Sequence, residues 1–505
     1  MTGLGSWIDR WADFQPHKTA IAFQGRDISY GGLAQRIRQF AWRFSVELNV
    51  SRGDRVGFLG TNHPDFVATL FACARIGAIM VPFNWRLAAA EHGYLIEDAE
   101  PVLLLVTVEF REHAEVLVAR FKHIRLLAVG FAAPGWISLD DEMGGADDAA
   151  DPRVNYDDPI LIVYTSGTTA RAKGAVLSQN AMFWNAVNAT HAHDLTSADH
   201  VLTVIPIFHV GGLNIQTVPA LHAGATVTLH PRFEADATLR EISTRKPTLT
   251  VQVPATARAL MNSTLWDRTD FSSLRMVDMG SSVIPAPIIR AFHERGIPVA
   301  QIYGATETAP IAIYLRAADC ERIGSTGKPA IHCNVKAIDC AGVEVADGMQ
   351  GEILVSGPNV LTCYWRNELA TREALRGGWF HTGDIGYRDA EGFWFITDRS
   401  KDVIISGGEN IYPVEIEAVL NECERVLECA VVARPDTRWG EVPVAFVVRK
   451  QDCVLERDEV ISMFEGRLAR FKYPHDVFFV ESLPRNAMGK TLKTKLRENF
   501  KGIEA

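Results

Sequence analysis

Residues 159–178 read PILIVYTSGTTARAKGAVLS. An apolar run, a polar stretch rich in glycine and hydroxyls, and a second short apolar run spell strand, loop, strand. Ser178 then stands where a helix beginning QNAMFWNAV needs its N-cap. Hydroxyls and free backbone N–H groups on such a loop suit phosphate oxygens, with Lys173 as a positive charge. The same hydroxyls can equally bond their own backbone in a polar turn. The loop is not a Walker A motif, although Lys173 follows Gly167 at the right distance. Ala172 replaces that motif's second glycine, and Gly174 replaces its Ser/Thr.

Working outward, strand-like and helix-like segments alternate, as in an α/β chain. GDRVGFLG predicts a strand, HPDFVATLFACARIG a helix opened by Pro64 and stopped by Gly77, and IMVPFN the next strand. From about Gly324 to Phe395 the chain becomes Gly/Pro-dense and β-like, with GKPA, VSGP, RGGWF and DAEGF as turns. After TDRSKD the composition changes again. Residues 403–505 read as a small α+β unit, with a helix at PVEIEAVLNE, strands at CAVVAR and VAFVVRK, and a locally basic last stretch.

A length of 505 residues exceeds one hydrophobic core, so two or more domains are expected. Hydrophobic content of 47% and charged content of 22% belong to an ordinary globular protein. A formal net charge of -10 argues against a nucleic-acid binder. Eight cysteines are scattered without a CxxC pair, which disfavours disulfide and zinc frameworks and points to a reducing cytoplasm. The N-terminus lacks the apolar core of a signal peptide, and no uninterrupted apolar run is long enough for a spanning helix. Peripheral membrane contact and a homodimer stay open.

Further stretches carry chemistry. In QIYGATET, residues 301–308, Tyr303 can stack a base and Glu307 can hold Mg²⁺ through oxygen. In GWFHTGDIGYRDAEGFWFITDRSKDVIISGGENIYP, residues 378–413, Asp384 suits two ribose hydroxyls, and SGGEN offers unobstructed backbone N–H groups. PRNAMGK places Lys490 after a glycine on a loop. His209 in PIFHVGG either lines a pocket or sits satisfied in the core. Each stretch alone is no more than a turn; their fixed order and long spacing are not those of independent turns.

Together these residues resemble the adenylate-forming superfamily of acyl-CoA synthetases, luciferases and peptide-synthetase adenylation domains. The resemblance runs from ISYGGLA near residue 30 to the terminal lysine motif and is nearest to bacterial fatty-acyl-CoA and feruloyl-CoA (aryl-CoA) ligases. It implies an α/β fold with a large, multi-subdomain N-terminal adenylation domain over 1–399. A hinge at 400–402 and a small, mobile α+β C-terminal domain over 403–505 would follow. It implies ATP, Mg²⁺ and coenzyme A as the small molecules used, with a carboxylic acid as substrate.

By the same resemblance, Thr165, Ser166, Gly167, Thr168, Thr169 and Lys173 wrap the ATP phosphates. Gly280, Ser281, Ser282 and Tyr303 sandwich adenine, Thr306 and Glu307 meet the α-phosphate and Mg²⁺, and Asp384 and Arg399 hold the ribose. Lys490 bridges carboxylate and α-phosphate, and Lys401 sits at the hinge. Gly407 and Gly408 belong to the loop exchanged for the lysine in the thioester step, and Trp439 and Phe471 pack on the CoA nucleotide. The chain departs from the family's SGTTGxPKG at Ala170 and Ala172, and an alanine at a left-handed position costs roughly 1 kcal/mol. It also reads MGSSVIP where the family usually has a GGAP-like run.

The pocket positions implied are His209 with Val210, Gly211, Gly212 and Leu213, then Val283, Ala305, Ala309 and Pro310. They are small or apolar and carry no Arg or Lys for a second carboxylate. The expected substrate is a hydrophobic monocarboxylic acid, read first as a medium or long fatty chain, with a feruloyl- or benzoate-type aryl acid as the alternative. A carrier-protein adenylation domain, a luciferase-like oxygenase and a non-catalytic nucleotide-binding protein are the rival readings.

Overall fold

The structure, a computed structural model, describes residues 3–139, 149–165, 172–281, 284–399, 402–406, 409–436, 439–465, 467–468, 470–486 and 490–498. Side chains at 398–399 and 409–410 are also outside the description.

Four sheets organise these residues. One has eight strands, and its middle is parallel: Ile79–Phe83, Arg55–Leu59, Leu103–Thr107 and Arg125–Val129. Beside them lies the hairpin Pro159–Thr165 and Lys173–Ser178, the strand, loop and strand expected from residues 159–178. A nine-stranded sheet carries the parallel run Thr226–Leu229, His200–Thr203, Leu249–Gln252, Met276–Met279 and Val299–Tyr303. A four-stranded antiparallel sheet accounts for the Gly/Pro-dense region. After residue 403, the long hairpin Val426–Asp436 and Gly440–Arg449 forms the centre of the last sheet, covered by the helix Pro413–Asn421.

Local chemistry explains the element ends. The helix Pro64–Ile76 starts with Pro64 in its first turn, His63 Nδ1 accepts from Asp65 N at 3.1 Å, and Gly77 closes it at φ 72°. The helix is apolar on nearly every side and buried on every side. Its two charges are neutralised, Asp65 by Arg36 at 2.9 Å and Arg75 by Asp9. Ser178 caps the helix Gln179–His193 by accepting from Ala181 N at 3.1 Å.

The tightest backbone approach follows the strand Val299–Tyr303. The chain doubles back so closely that a Cβ at Gly304 would lie 1.5 Å from the carbonyl oxygen of Pro310. Thr308 Oγ1 fastens this turn, accepting from Ala305 N at 2.9 Å. Buried Asn359 donates to the carbonyls of Thr308, at 2.6 Å, and Ile311, at 3.1 Å. Backbone cannot yield as a side chain can. Gly304→Ala is therefore expected to lower the unfolding free energy by about 2–3 kcal/mol, read as a lower urea midpoint.

Candidate active site

The hairpin mouth is closed by the pair Thr165 and Lys173, with Thr165 Oγ1 3.4 Å from the carbonyl of Lys173. Residues 166–171 between them, including Ser166, Gly167, Thr168, Thr169 and Ala170, lie outside the described residues. Ala172 is described. Its carbonyl accepts from Tyr94 Oη at 3.1 Å.

From Lys173 a chain of contacts crosses to the other large sheet. Lys173 Nζ sits 5.4 Å from the ring centre of Tyr364, and the Tyr364 phenol donates to Glu307 Oε1 at 2.7 Å. Burial is the main cause that raises the Tyr364 phenol above its ordinary range, so it stays a donor. Glu307 also offers its backbone carbonyl to Leu361 N at 2.7 Å. Thr306 is buried beside it in the short turn Thr306–Thr308. Next along, Tyr303 Oη donates to Asp384 Oδ2 at 2.8 Å, and Asp384 N is held by Thr382 Oγ1 at 3.0 Å. Asp384 pairs in register with Arg399, whose side chain lies outside the described residues.

Gly280 ends the neighbouring strand. A Cβ there would meet the carbonyl oxygen of Ile302 at 2.7 Å, so backbone lies against backbone at this edge. Ser281 follows at φ 75°, a left-handed conformation that a serine holds at a cost of about 1 kcal/mol. That strain was not visible in the run MGSSVIP. Ser282 and Val283 lie outside the described residues.

His209 caps the turn Val210–Gly212, its Nδ1 accepting from Gly211 N at 3.0 Å. Burial pushes its imidazole down to about 4, so the ring is neutral near pH 7. Gly212 is required, since a Cβ would stand 2.2 Å from the carbonyl oxygen of Pro206.

The structure therefore brings Thr165, Lys173, Thr306, Glu307, Tyr303 and Gly280 to the meeting line of the two large sheets, and Asp384 reaches it from the four-stranded sheet. Trp439 and Phe471 lie on the C-terminal unit, 43% and 46% exposed. Lys490 sits on a short loop, its backbone N bonded to Asn486 Oδ1 at 2.9 Å. Lys401, Gly407 and Gly408 lie outside the described residues. One ion pair reaches from the large unit toward the lysine loop. Arg258 Nη1 stands 3.7 Å from Glu428 Oε2, and Glu428 also binds Arg485, five residues before Lys490.

Sequence reasoning missed Tyr364, which lies 57 positions from the Glu307 it touches. It also missed Tyr94 and the Arg258–Glu428–Arg485 chain. No local motif marks any of them, since their partners are brought in by tertiary packing from distant parts of the chain. Among the described residues no group of three or more His, Cys, Asp or Glu side chains is placed to hold a metal ion. No helix among them is long and apolar enough to cross a membrane.

The AMP-binding enzyme family model matches residues 8–365, and the model of the AMP-binding enzyme C-terminal domain matches residues 415–490. An indoleacetate–CoA ligase of Aromatoleum aromaticum is 47% identical over 98% of this chain and 98% of its own. A feruloyl-CoA synthase of an Amycolatopsis species is 40% identical over 99% of both. The crystal structure of an anthranilate CoA ligase in complex with anthranoyl-AMP superposes with a TM-score of 0.92 at 27% identity, over 98% of this chain and 97% of that one.

The His209 geometry has a pH signature. Because the folded value lies below the unfolded one, the unfolded state binds the extra proton between pH 6.5 and about 4, and stability falls as pH drops through that window. His209→Asn keeps an oxygen for the Gly211 cap but cannot titrate. Urea titrations across the window are expected to lose up to about one proton from the slope.

Proposed function

The chain belongs to the AMP-binding enzyme family, and on that premise we propose that it is an AMP-forming ligase joining an aryl or arylalkyl carboxylic acid to coenzyme A. The observation that carries the substrate class is full-length similarity, at 47% and 40% identity, to ligases named for indoleacetate and feruloyl acids. It favours the aryl alternative over the fatty-chain reading taken first from the small, apolar pocket positions. Those positions fit a flat ring as well as a chain.

In the first step a carboxylate oxygen attacks the α-phosphorus of ATP. An acyl–O–P bond forms, and the bond to the β-phosphate breaks with its electron pair leaving on pyrophosphate. Two anions meet in this step, so positive charge and directed donors at the site are what lower its barrier. We assign Thr165, Lys173 and the loop 166–169 to the β- and γ-phosphates, Thr306 to the α-phosphate, and Lys490 to the bridge between carboxylate and phosphate. Asp384, oriented by Tyr303, takes the ribose hydroxyls together with Arg399. Gly280, Ser281, Ser282 and the ring of Tyr303 flank adenine.

The Glu307 carboxylate engages Tyr364 through Oε1. Magnesium is commonly held by one or two carboxylates with phosphate oxygens and water, and this single carboxylate beside the phosphate loop fits that pattern. When bound, the ion would neutralise phosphate charge.

In the second step the CoA thiolate attacks the carbonyl of the acyl adenylate and AMP departs with the C–O electron pair. Lys490 must withdraw for the thiol to enter. Rotation of the C-terminal unit about Lys401 would exchange its loop for Gly407 and Gly408 and bring Trp439 and Phe471 to the CoA nucleotide. His209, neutral and committed to its cap, shapes the pocket mouth and transfers no proton.

Assayed with indole-3-acetate, ferulate, benzoate and decanoate, the protein is expected to release pyrophosphate with ATP, and thioester and AMP once CoA is added. At least one aryl acid should exceed decanoate about tenfold in kcat/KM. Decanoate as the best acid returns the fatty-chain reading, and ATP binding without pyrophosphate release rejects the ligase. Lys490→Ala is expected to abolish adenylation, by about 100-fold or more, while thioester formation from supplied acyl-AMP stays within a few-fold. Equal loss of both half-reactions contradicts the exchange of loops.

A further inference from the structure

Away from the nucleotide residues, the large unit buries a polar cluster that adenylation does not use. Asp278 lies on the strand Met276–Met279, two residues before Gly280. Across from it stand His193, at the end of the helix Gln179–His193, and Gln216, in the turn Leu213–Thr217. The His193 and Asp278 side chains are 0% and 1% exposed, and Gln216 is equally buried. Gln216 Nε2 donates to Asp278 Oδ2, and His193 Nε2 comes within 2.8 Å of the same oxygen. That approach lacks the alignment of a hydrogen bond, so His193 meets Asp278 as an ion-pair contact and neither of its ring nitrogens makes a hydrogen bond. Asp278 Oδ1 and Gln216 Oε1 are without one too. Two of these atoms only accept, and one of them belongs to a carboxyl group.

The place of the cluster matters as much as its chemistry. The turn bearing Gln216 continues directly from Val210–Gly212, the segment capped by His209. The helix bearing His193 is tied to that turn by Asn185, whose Nδ2 donates to the Asn214 carbonyl at 2.7 Å. The Oδ1 of Asn185 accepts from Ile311 N at 3.0 Å, which brings in the segment of Ala309 and Pro310. The three walls assigned to the acid pocket thus meet, and His193 and Gln216 gather on Asp278, two residues along the strand before Gly280, where the pocket would end.

Resting on the aryl-CoA ligase reading, we propose that His193, Gln216 and Asp278 form a hydrogen-bond-accepting floor of the acid pocket. It selects aryl acids whose ring presents an N–H or O–H donor at the end remote from the carboxylate. A donor arriving there pairs with Asp278 Oδ1 or Gln216 Oε1, whereas a ring without one leaves both buried and unpaired. Sites built to pair a substrate donor discriminate far more sharply than apolar pockets do.

The test compares acids of matched shape on the wild-type protein. Indole-3-acetate is set against benzofuran-3-acetate, in which ring oxygen replaces N–H, and 4-hydroxyphenylacetate against phenylacetate. The second pair separates a phenol O–H from an indole N–H as the donor. In at least one pair the donor-bearing acid is expected to lead in kcat/KM by about 10- to 100-fold, and the double variant Asp278→Leu/Gln216→Leu, which removes both acceptors, is expected to bring that ratio within about threefold. Should that variant not fold, the N–H proton of ¹⁵N-labelled indole-3-acetate, bound to the wild-type protein, provides the second measurement and is expected to shift downfield. Ratios near one in both pairs overturn the floor, leaving the cluster to ordered water while the ligase stands. So does a variant that keeps the wild-type ratio, or an unshifted N–H proton. Failure of every acid to give thioester or to bind rejects the ligase reading and the floor with it.

Discussion

The site depends on one short seam of backbone, residues 361–365. Leu361 N bonds the carbonyl of Glu307 at 2.7 Å, Thr362 N that of Val176 at 2.9 Å, and Trp365 N that of Gly174 at 2.7 Å. Two sheets that already share one hydrophobic core are thereby also sewn together through backbone, at the point where one ends in the turn of Glu307 and the other in the hairpin of Lys173. Tyr364 lies in the middle of the seam and presents its hydroxyl to Glu307 and its ring to Lys173. A cation and a carboxylate from different sheets are thus held around one buried phenol without forming an ion pair with each other. That leaves both charges available to a ligand, which is the preorganisation phosphate chemistry needs.

The tie between the large unit and the lysine loop is of another kind. Arg258 approaches Glu428 only to 3.7 Å, and Glu428 is already engaged by Arg485 and by Leu483 N. Two guanidinium groups crowd one carboxylate, and desolvation, the largest cause, holds both arginines below their ordinary range. A contact of this length, partly solvated, contributes at most about 1 kcal/mol. Such a link can orient a loop without fixing it, which is the strength the proposed exchange of loops requires.

Much of the chain was legible because local chemistry decided it. Pro64, Gly77 and Ser178 mark helix ends through their own backbone preferences, and the run at 159–178 becomes the hairpin its pattern announces. Asp384 and Glu307 were singled out by the glycines beside them; Glu307 does lie in the short turn Thr306–Thr308, whereas Asp384 lies within the strand Phe380–Arg388 and not in a turn. Tyr364, Arg258 and Glu428 were not singled out, since each acts on a partner brought near by tertiary packing from far along the chain. Ser281 shows a further limit: its backbone is left-handed, and serine itself gives no sign of it.

The proposed floor of the acid pocket lies beyond what reading by neighbourhood reaches. Positions adjoining His209, Gly280 and Gly304 are small or apolar, and from them the pocket looks like a slot for hydrocarbon. A strand alternates its faces, however, so the residue two steps before Gly280 shares its side. That residue is Asp278, and the helix and turn packed over it supply His193 and Gln216. Leaving an acceptor buried and unpaired costs on the order of 1–3 kcal/mol, and several stand together here. A floor meant only for hydrocarbon would gain stability from leucine at each position. Retaining carboxylate, imidazole and amide at that depth makes energetic sense where a donor enters from outside the chain and completes their hydrogen bonds.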